Sequence, residues 1–390
     1  MGTNMPVLPG LEGAVPMVGP FVPGTGVDAS ALPEARPSQV VTMSDGDTLD
    51  ISVSMVRRTI EGHELVMFGY NGQYPGPLIR ATKDATIIVR VTNRIQLPTT
   101  IHWHGIRIDN RFDGVPGVTQ PAIQRGKSFT YQVKLPDSGM FWYHPHVRED
   151  VQQDLGLFGN LLVTSSDPDY YGPAHREEIF VLDDILMDEH GLIPWGESAA
   201  THALMGRLGN VMMVNGETDH RLSVQRGEVV RFFLTNVANS RTFNVTFGGN
   251  PLKIVASDVG RYEREMWINS VVIAPAERYV VDVRFEEAGE VAISNTIQAI
   301  NHFRGEFYPH VDHLGTVRVA AMATSDDHTD SFAVLREHVD VQDDIAAYRD
   351  GGAEAPRLMI LDTEQDGGVR MSPHRLSQES VLAAIAALGL

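Results

Sequence analysis

Short runs in which apolar and polar residues alternate, separated by turn residues, recur along the chain from about Ser38 onward. Clear runs at 49–56, 85–91 and 128–135 are rich in β-branched or aromatic residues. Alternation sends successive side chains to opposite faces of a strand, so each run predicts a half-buried strand. Runs of this length and spacing are typical of antiparallel sandwiches and barrels, and the sequence therefore predicts an all-β fold.

The strand pattern is repeated within the chain. An Asn-Gly turn at Asn71 precedes an apolar strand that ends at Asn93, and an Asn-Gly turn at Asn215 precedes a similar strand that ends at Asn236. The two strand ends are 143 residues apart. A repeat of this size predicts two copies of one β-domain fold.

The predicted domains follow from the extent of the repeat. Matching segments at 121–133 and 275–283 continue it beyond the first strands. We place the two β-domains at 37–165 and 166–320. The Pro- and Gly-rich residues 1–36 predict an extended arm before them.

Residues 321–390 do not continue the repeat. Residues 358–362 are compatible with the first strand of a further domain, and Ser377 is suited to cap a short apolar helix over 381–388. We interpret 321–390 as a linker followed by the truncated start of a third domain.

Two His-x-His pairs stand out in the first domain, His102 with His104 and His144 with His146. Residues two apart on a strand share a face, so each pair presents both imidazoles on one side, with Trp103 facing the other way. If the two strands lie in one sheet, four imidazoles converge. Imidazole binds copper and zinc well, and the scarcity of carboxylates here argues against calcium or magnesium. The alternative is that each histidine is an ordinary surface or core residue.

The repeat offers an internal comparison for these histidines. His102 lies nine residues after Asn93, whereas Val245 lies nine residues after Asn236. The second copy thus keeps the strand pattern without the first histidine pair. The fold itself does not require the histidines, which favours a functional role for them.

Composition excludes several classes of function. The chain has 50 acidic and 31 basic residues and a net charge of −19, which opposes binding to nucleic acids or anionic membranes. It has no cysteine, which excludes disulfides, zinc-thiolate sites and thiol nucleophiles. A blue-copper centre also needs a cysteine thiolate. No apolar run approaches the ~20 residues of a membrane span.

The histidine segments resemble a known family. The runs HWHGIRIDNRFDGVPGVTQ and FWYHPHVREDVQQDLGLFGNLLV resemble the first cupredoxin domain of the laccase-like multicopper oxidases. The resemblance implies two cupredoxin-like Greek-key β-barrel domains. It also implies that His102 is a type 2 copper ligand and that His104, His144 and His146 are type 3 ligands. Asp113 stands where the family keeps an acidic residue for proton relay, although Asp-Gly alone is an ordinary turn signal.

The family resemblance implies an activity as well. Multicopper oxidases remove single electrons from phenols, aromatic amines or metal ions and reduce O2 to water. Their third domain supplies the other cluster ligands and the type 1 copper through HPxHxH and HCHxxxH motifs, neither of which occurs in this sequence. We therefore expect copper at type 2 and type 3 positions, with half of the trinuclear ligands, and no type 1 copper on this chain.

Other interpretations of the histidines stay open. The protein could bind copper without turnover, form a homo-oligomer or complex whose partner supplies the missing ligands, or keep a vestigial site. The family implies a periplasmic or secreted protein. The N-terminus nevertheless lacks the basic and continuous apolar regions of an intact signal peptide.

Two further groups of residues are given structural interpretations. We expect His310 and His313 to lie in a polar loop before a strand at 315–319, with metal binding as the alternative. Met205 and the pair Met212-Met213 are expected to be core residues, with copper ligation as the alternative.

Overall fold

The fold is built from strands joined by turns, as the alternating pattern predicted. A computed structural model describes residues 20–258, 260–301, 304–350, 358–363 and 369–374. The first half of the predicted N-terminal arm and the predicted helix at 381–388 lie outside the described residues.

The first β-domain consists of two facing sheets. Its strands are β1 Val40–Thr42, β2 Thr48–Ile60, β3 His63–Tyr70, β4 Leu78–Thr82, β5 Thr86–Asn93, β6 His102–His104, β7 Ser128–Lys134, β8 Gly139–His144 and β9 Gly159–Thr164. One sheet has the order β1-β4-β9-β8-β6 and is called the histidine sheet below; the other has the order β3-β2-β5-β7.

The alternating pattern explains how these sheets form a core. In β5 the apolar residues Ile87, Val89 and Val91 are fully buried, while the residues between them, Ile88 and Arg90, are more exposed. They pack against apolar side chains from the opposite sheet, among them Trp103 and Tyr143. Burial of one face of each sheet is the main stabilisation that this arrangement provides.

The second β-domain has the same plan with longer strands. Its strands are β10 Arg176–Ile185, β11 Met187–Asp188, β12 Gly191–Leu192, β13 Val211–Val214, β14 His220–Arg226, β15 Val229–Asn236, β16 Phe243–Phe247, β17 Leu252–Ser257, β18 Gly260–Ile268, β19 Val271–Ile273, β20 Arg278–Arg284, β21 Gly289–Asn301 and β22 Glu306–Ala323. The two large sheets have the orders β13-β10-β15-β20-β17-β18 and β14-β22-β21-β16-β19, and β11 pairs with β12.

The two domains have matching topology. The parallel pair β2 and β5 corresponds to β10 and β15, and β7 and β20 flank them in the same antiparallel sense. The series β4-β9-β8-β6 corresponds to β14-β22-β21-β16. The all-β fold with two cupredoxin-like domains is therefore confirmed, while the boundaries at 37, 166 and 320 stay predictions.

Two asparagines show how closely the copies agree. The amide of Asn93 donates to the carbonyls of Leu97 and Ile123, both at 2.8 Å. The amide of Asn236 donates to the equivalent carbonyls, those of Arg241 at 2.7 Å and Ile273 at 2.9 Å. Equivalent asparagines therefore hold equivalent loops by the same pair of hydrogen bonds in both copies.

The histidine sheet packs its outer face on the second domain. Met140 and Leu162 on that face meet Phe233, Val255 and Val280 of the second domain, and all five are almost completely buried. Residues Val18–Glu337, which include both β-domains, form one compact unit. The described part of the N-terminal arm joins this unit, since the amide of Phe21 donates to the carbonyl of Trp195 at 2.8 Å.

The helices of the described residues are few and short. They are α1 Glu149–Gln152, α2 Ala199–Met205, α3 Thr329–Ala333 and α4 Val339–Asp350, with 3₁₀ turns at Ala29–Ala31 and Asn110–Phe112. Among the described residues, none of these helices has the length and apolar character needed to cross a membrane.

The residues from His338 onward belong to a second unit, described here by itself. It contains α4 and an antiparallel pair of strands, β23 Leu358–Thr363 and β24 Val369–His374. The strand that the sequence suggested at 358–362 is β23.

Two of the structural interpretations need correction. His310 and His313 lie inside strand β22, not in a loop, and they hydrogen-bond to Asp312 and Asp219. The sequence around Pro309 is polar, but pairing with β21 extends the hairpin through it. Met212 and Met213 are buried as expected, whereas Met205 is 62% exposed at the end of α2.

Candidate metal centre

Strand pairing in the histidine sheet brings the two His-x-His segments together. Strands β6 and β8 are antiparallel neighbours in which His102 lies opposite His144 and His104 lies opposite Trp142. Because cross-strand partners share a face, these side chains point to one side of the sheet. Trp103 points to the other side and is completely buried in the core of the first domain.

The imidazoles form a compact cluster. One ligand nitrogen from each of His102, His104 and His144 lies within 4.8 Å of the others. His104 Nδ1 is 3.3 Å from His144 Nε2. The ring centroid of His146 is 4.5 Å from that of His102 and 5.2 Å from that of His144. The structure thus places the four predicted residues in one pocket, with His146 beside the closer trio.

Hydrogen bonds at Nδ1 fix the orientation of the rings. His102 Nδ1 donates to the backbone oxygen of Asp113 at 2.7 Å, and the Asp113 carboxylate is 3.3 Å from the same nitrogen. His144 Nδ1 donates to the backbone oxygen of Pro145 at 3.0 Å. A proton held on Nδ1 leaves the lone pair on Nε2, the nitrogen that is then able to bind a metal.

Glu149 plays the corresponding part for His146. Its carboxylate accepts a hydrogen bond from His146 Nδ1 at 2.5 Å. Glu149 is the first residue of α1, and the short helix brings its side chain back over the histidine three residues earlier. The sequence analysis did not single out Glu149, although an acidic residue three positions after His146 is a visible signal.

Burial keeps most of the cluster uncharged. Burial lowers the pKa of His102 and, more strongly, that of His144. Burial together with the nearby Arg278 guanidinium lowers the pKa of His104 to about 3. The hydrogen bond that His146 donates to the Glu149 carboxylate instead raises the pKa of His146. Neutral imidazole is the form that binds metal ions, so the buried rings are already in the binding state at neutral pH.

An aromatic side chain packs against two rings of the cluster. Trp142 stacks on His144 with ring centroids 4.1 Å apart and lies 5.0 Å from the ring of His104. It is 1% exposed. The rings therefore have little freedom to rotate, which favours a fixed arrangement of their nitrogens.

The donor set fits copper. Imidazole nitrogens suit copper and zinc, whereas calcium and magnesium require several oxygen ligands. The two carboxylates next to the cluster belong to Asp113 and Glu149. They contact Nδ1 of His102 and Nδ1 of His146, and so leave Nε2 of each ring available to a metal. The fold and the site together define a protein of paired β-domains whose first domain has a cluster of imidazoles suited to hold a metal ion.

Comparisons with known proteins are consistent with this class. Family models described as multicopper oxidase match residues 52–168 and 185–308. Multicopper oxidase MmcO of Mycobacterium tuberculosis is 31% identical over 293 residues, which are 67% of this chain and 55% of that protein. Copper resistance protein A of Pseudomonas syringae pv. tomato is 34% identical over 161 residues, 41% of this chain and 26% of that protein.

A solved structure gives the same picture. The laccase-like multicopper oxidase CueO from Ochrobactrum sp. superimposes with a TM-score of 0.64 at 27% identity, covering 76% of this chain and 66% of that one. The chain belongs to the multicopper oxidase family. It spans 55% and 26% of the lengths of the two curated relatives named above.

Proposed function

We propose that the protein is a laccase-like copper oxidoreductase whose first domain supplies half of a trinuclear copper site. His102 is the type 2 ligand in this proposal, and His104, His144 and His146 are type 3 ligands. The observation that carries the proposal is the group of three desolvated imidazoles whose nitrogens lie within 4.8 Å. Cysteine is absent from the sequence, so no type 1 copper is assigned to this chain.

The reaction proposed for the complete site is the one-electron oxidation of phenols, aromatic amines or metal ions, coupled to reduction of O2 to water. The structural relative from Ochrobactrum sp. is described as having oxidase activity towards lignin model compounds and lignosulfonate, which supports a phenolic substrate. Copper, when bound, supplies reversible one-electron chemistry. The protein contributes ligand orientation and exclusion of water around His144, which is 4% exposed.

Asp113 is the proposed proton relay. Its side chain is 31% exposed, and its carboxylate is 3.3 Å from His102 Nδ1. The carboxylate therefore contacts both solvent and a ligand of the proposed site. This position suits a group that takes protons from water and passes them towards the cluster.

Copper binding without turnover is the second candidate. It is favoured by the lack of a thiolate, since the family passes electrons to the cluster from a type 1 centre that needs one. A third arrangement, in which a second chain completes the ligand set, would restore the activity in a homo-oligomer or complex.

Copper reconstitution tests the ligand assignment. We expect bound Cu(II) to give an electron paramagnetic resonance signal with imidazole nitrogen couplings. His144→Ala should weaken copper binding by more than the roughly 10–100-fold that loss of an outer partner of a metal ligand costs. His190→Ala is the control, because His190 is 83% exposed and pairs only with its neighbour Glu189 among the described ion pairs. Wild-type affinity in His144→Ala would overturn the assignment.

Oxygen uptake separates the enzyme from the copper-binding protein. Purified, copper-loaded chain is given a phenol, and O2 consumption is compared with that of the same concentration of free copper. Consumption above the free-copper rate that is lost in His144→Ala supports the oxidase. Consumption equal to the free-copper rate, with copper still bound, supports the second candidate.

A further inference from the structure

An arginine of the second domain, Arg278, lies beside the candidate metal centre of the first. Arg278 is the first residue of β20, and its side chain crosses to the histidine sheet, where it is 3% exposed. Its Nε–H donates to the backbone oxygen of Met140 at 3.0 Å. Met140 lies on β8, the strand that ends at His144.

A second contact joins Arg278 to the other histidine strand. Gly105 follows His104 and has a φ of +82°, and a Cβ built on it would overlap Nη2 of Arg278. The guanidinium therefore lies directly against the backbone turn that leaves β6. One side chain of the second domain thus contacts β8 and the turn that leaves β6.

The guanidinium is held firmly on its own side of the interface. Nη1 is 2.6 Å from the carboxylate of Asp258 and donates to the backbone oxygen of Ala276 at 3.1 Å. Nη2 donates to the backbone oxygen of Asp258 at 3.0 Å. Because Arg presents its donors in a rigid planar fork, these bonds fix the head group relative to the second domain.

The repeat shows that one β-domain does not need an arginine here. The position equivalent to Arg278 in the first domain is Ser128, which begins β7 and is exposed. Its hydroxyl makes a local hydrogen bond to Thr92 at 2.8 Å. The first copy thus folds without an arginine at this position, which favours a role for Arg278 in the contact between the copies.

We propose that Arg278 is a positioning residue through which the second domain, whose strand β16 lacks the histidine pair, fixes the spacing of β6 and β8, and so of His104 and His144. The inference rests on the proposed function, in which these histidines bind copper. It gives the second repeat a role at the centre without any ligand of its own. A shift of a few tenths of an ångström between the strands would change which nitrogens share one ion, since metal sites tolerate only small errors in geometry.

Arg278→Gln is the test and Arg231→Gln is the matched control. Arg231 is also buried in the second domain, 4% exposed, and its ion pair with Asp282 at 2.8 Å lies within that domain. Both changes remove a buried guanidinium, so both should lower the midpoint of thermal unfolding. Only Arg278→Gln should weaken Cu(II) binding, by about 10-fold or more as for outer partners of metal sites, and alter the Cu(II) hyperfine couplings.

A metal-free measurement keeps this inference separate from the proposed function. In the copper-free protein, the ¹H–¹⁵N imidazole resonances of His104 and His144 should shift in Arg278→Gln and stay in place in Arg231→Gln. If wild type shows no histidine-bound copper but the resonances shift selectively, the proposed function fails and the positioning role stands.

Arg278→Lys guards against a variant that does not fold. Lysine keeps the charge but has no planar fork, so it cannot serve Met140 and Asp258 in the same geometry. We expect a folded protein with an intermediate change in the histidine resonances and the copper spectrum. The positioning role would be overturned if Arg278→Gln and Arg278→Lys both kept the wild-type histidine resonances and copper affinity. Equal changes in Arg231→Gln would overturn it as well.

Discussion

At the scale of residues, the surroundings of a histidine decide its protonation. His104 and His146 stand in one pocket, yet burial and Arg278 lower the pKa of the first to about 3, while the carboxylate of Glu149 raises the pKa of the second. A group beside a guanidinium loses its proton readily, and one bonded to a carboxylate keeps it. The sequence alone makes the two residues look alike.

The same reasoning applies to Asp154, a buried carboxylate outside the cluster. It is 4% exposed and 3.0 Å from Arg207, and its side chain accepts a hydrogen bond from Asn239. Burial raises its pKa from 3.8 to about 7 in spite of that arginine. At a pH between these two values, Asp154 therefore holds a proton in the folded protein that it has released in the unfolded chain.

The raised pKa of Asp154 determines how the stability of the protein changes with pH. A carboxylate whose pKa is raised in the folded state favours folding below about pH 4, and this contribution is lost as the pH rises through about 7. Since a shift of one pKa unit corresponds to about 1.4 kcal/mol, protonated Asp154 contributes a few kcal/mol to the free energy of unfolding at acid pH. We expect Asp154→Asn to show a smaller fall in thermal midpoint between pH 4 and 7 than wild type.

Asp50→Asn is the control for that prediction. The Asp50 side chain is 72% exposed and lies in a surface ion pair with Arg90, which contributes little to stability. Its removal should leave the slope of the thermal midpoint against pH unchanged. Parallel curves for wild type and Asp154→Asn would show that Asp154 is ionised in the folded protein across this range.

At the scale of elements, the loop after β6 returns to the strand that it leaves. Gly114 has a φ of +79°, and a Cβ built on it would overlap the backbone oxygen of Ile101. This close approach brings the backbone oxygen of Asp113 to His102 Nδ1. The loop therefore orients the ring of His102, and the residue at position 114 has to be glycine because of both its left-handed backbone and its approach to Ile101.

We expect Gly114→Ala to lower stability and to disturb the copper site together. The left-handed backbone alone costs an alanine about 1–2 kcal/mol, and the clash with Ile101 adds to this. The measurements are the thermal midpoint and the Cu(II) resonance spectrum. Gly117→Ala is the control, because Gly117 has a φ of +76° and open space around it.

The control should show only the backbone cost. If Gly117→Ala lowers the midpoint slightly and keeps the copper spectrum, while Gly114→Ala changes both, the loop orients His102 as described. A copper spectrum unchanged in Gly114→Ala would instead show that His102 is held by its strand alone.

At the scale of the whole molecule, two copies of one fold have different residues at equivalent positions of their strands. The first copy has the histidines on β6 and β8. In the second copy the equivalent strand β16 has the buried apolar residues Val245 and Phe247, and Asn295 faces Val245 on the neighbouring strand. An apolar core in place of ligands stabilises the second copy, which then provides a firm surface for the histidine sheet to pack on.

The metal content of the intact molecule is predicted from its ligands. We expect the copper-loaded chain to lack the intense blue absorption of a type 1 centre, because its sequence offers no thiolate. Absorption spectra and native mass spectrometry on one sample measure the band and the copper count per chain. A strong blue band would contradict the ligand assignment.

The native mass also identifies how the ligand set is completed. An oligomer with three coppers at each site would show that a partner chain supplies the remaining ligands. A monomer with one copper or none would exclude completion by a partner and would favour binding without turnover.

The sequence by itself determined the features that depend on neighbouring residues. Alternation with a period of two gave the strands β2, β5 and β7 within a few residues of their ends, since a strand's burial pattern is a local property. The same alternation put His102 and His104 on one face with Trp103 on the other. Comparison of the two repeats indicated that the histidines are not needed for folding.

Only the tertiary structure decided which distant side chains meet. Arg278 and Met140 are 138 residues apart in the chain, and no local pattern relates them. The strand at His310 and His313 likewise depends on pairing with β21, which the polar sequence concealed, and the exposure of Met205 depends on where α2 packs. Contacts between separate segments are set by packing of the whole molecule, which is why the histidine cluster could be predicted from its two motifs and the contact of Arg278 with Met140 could not.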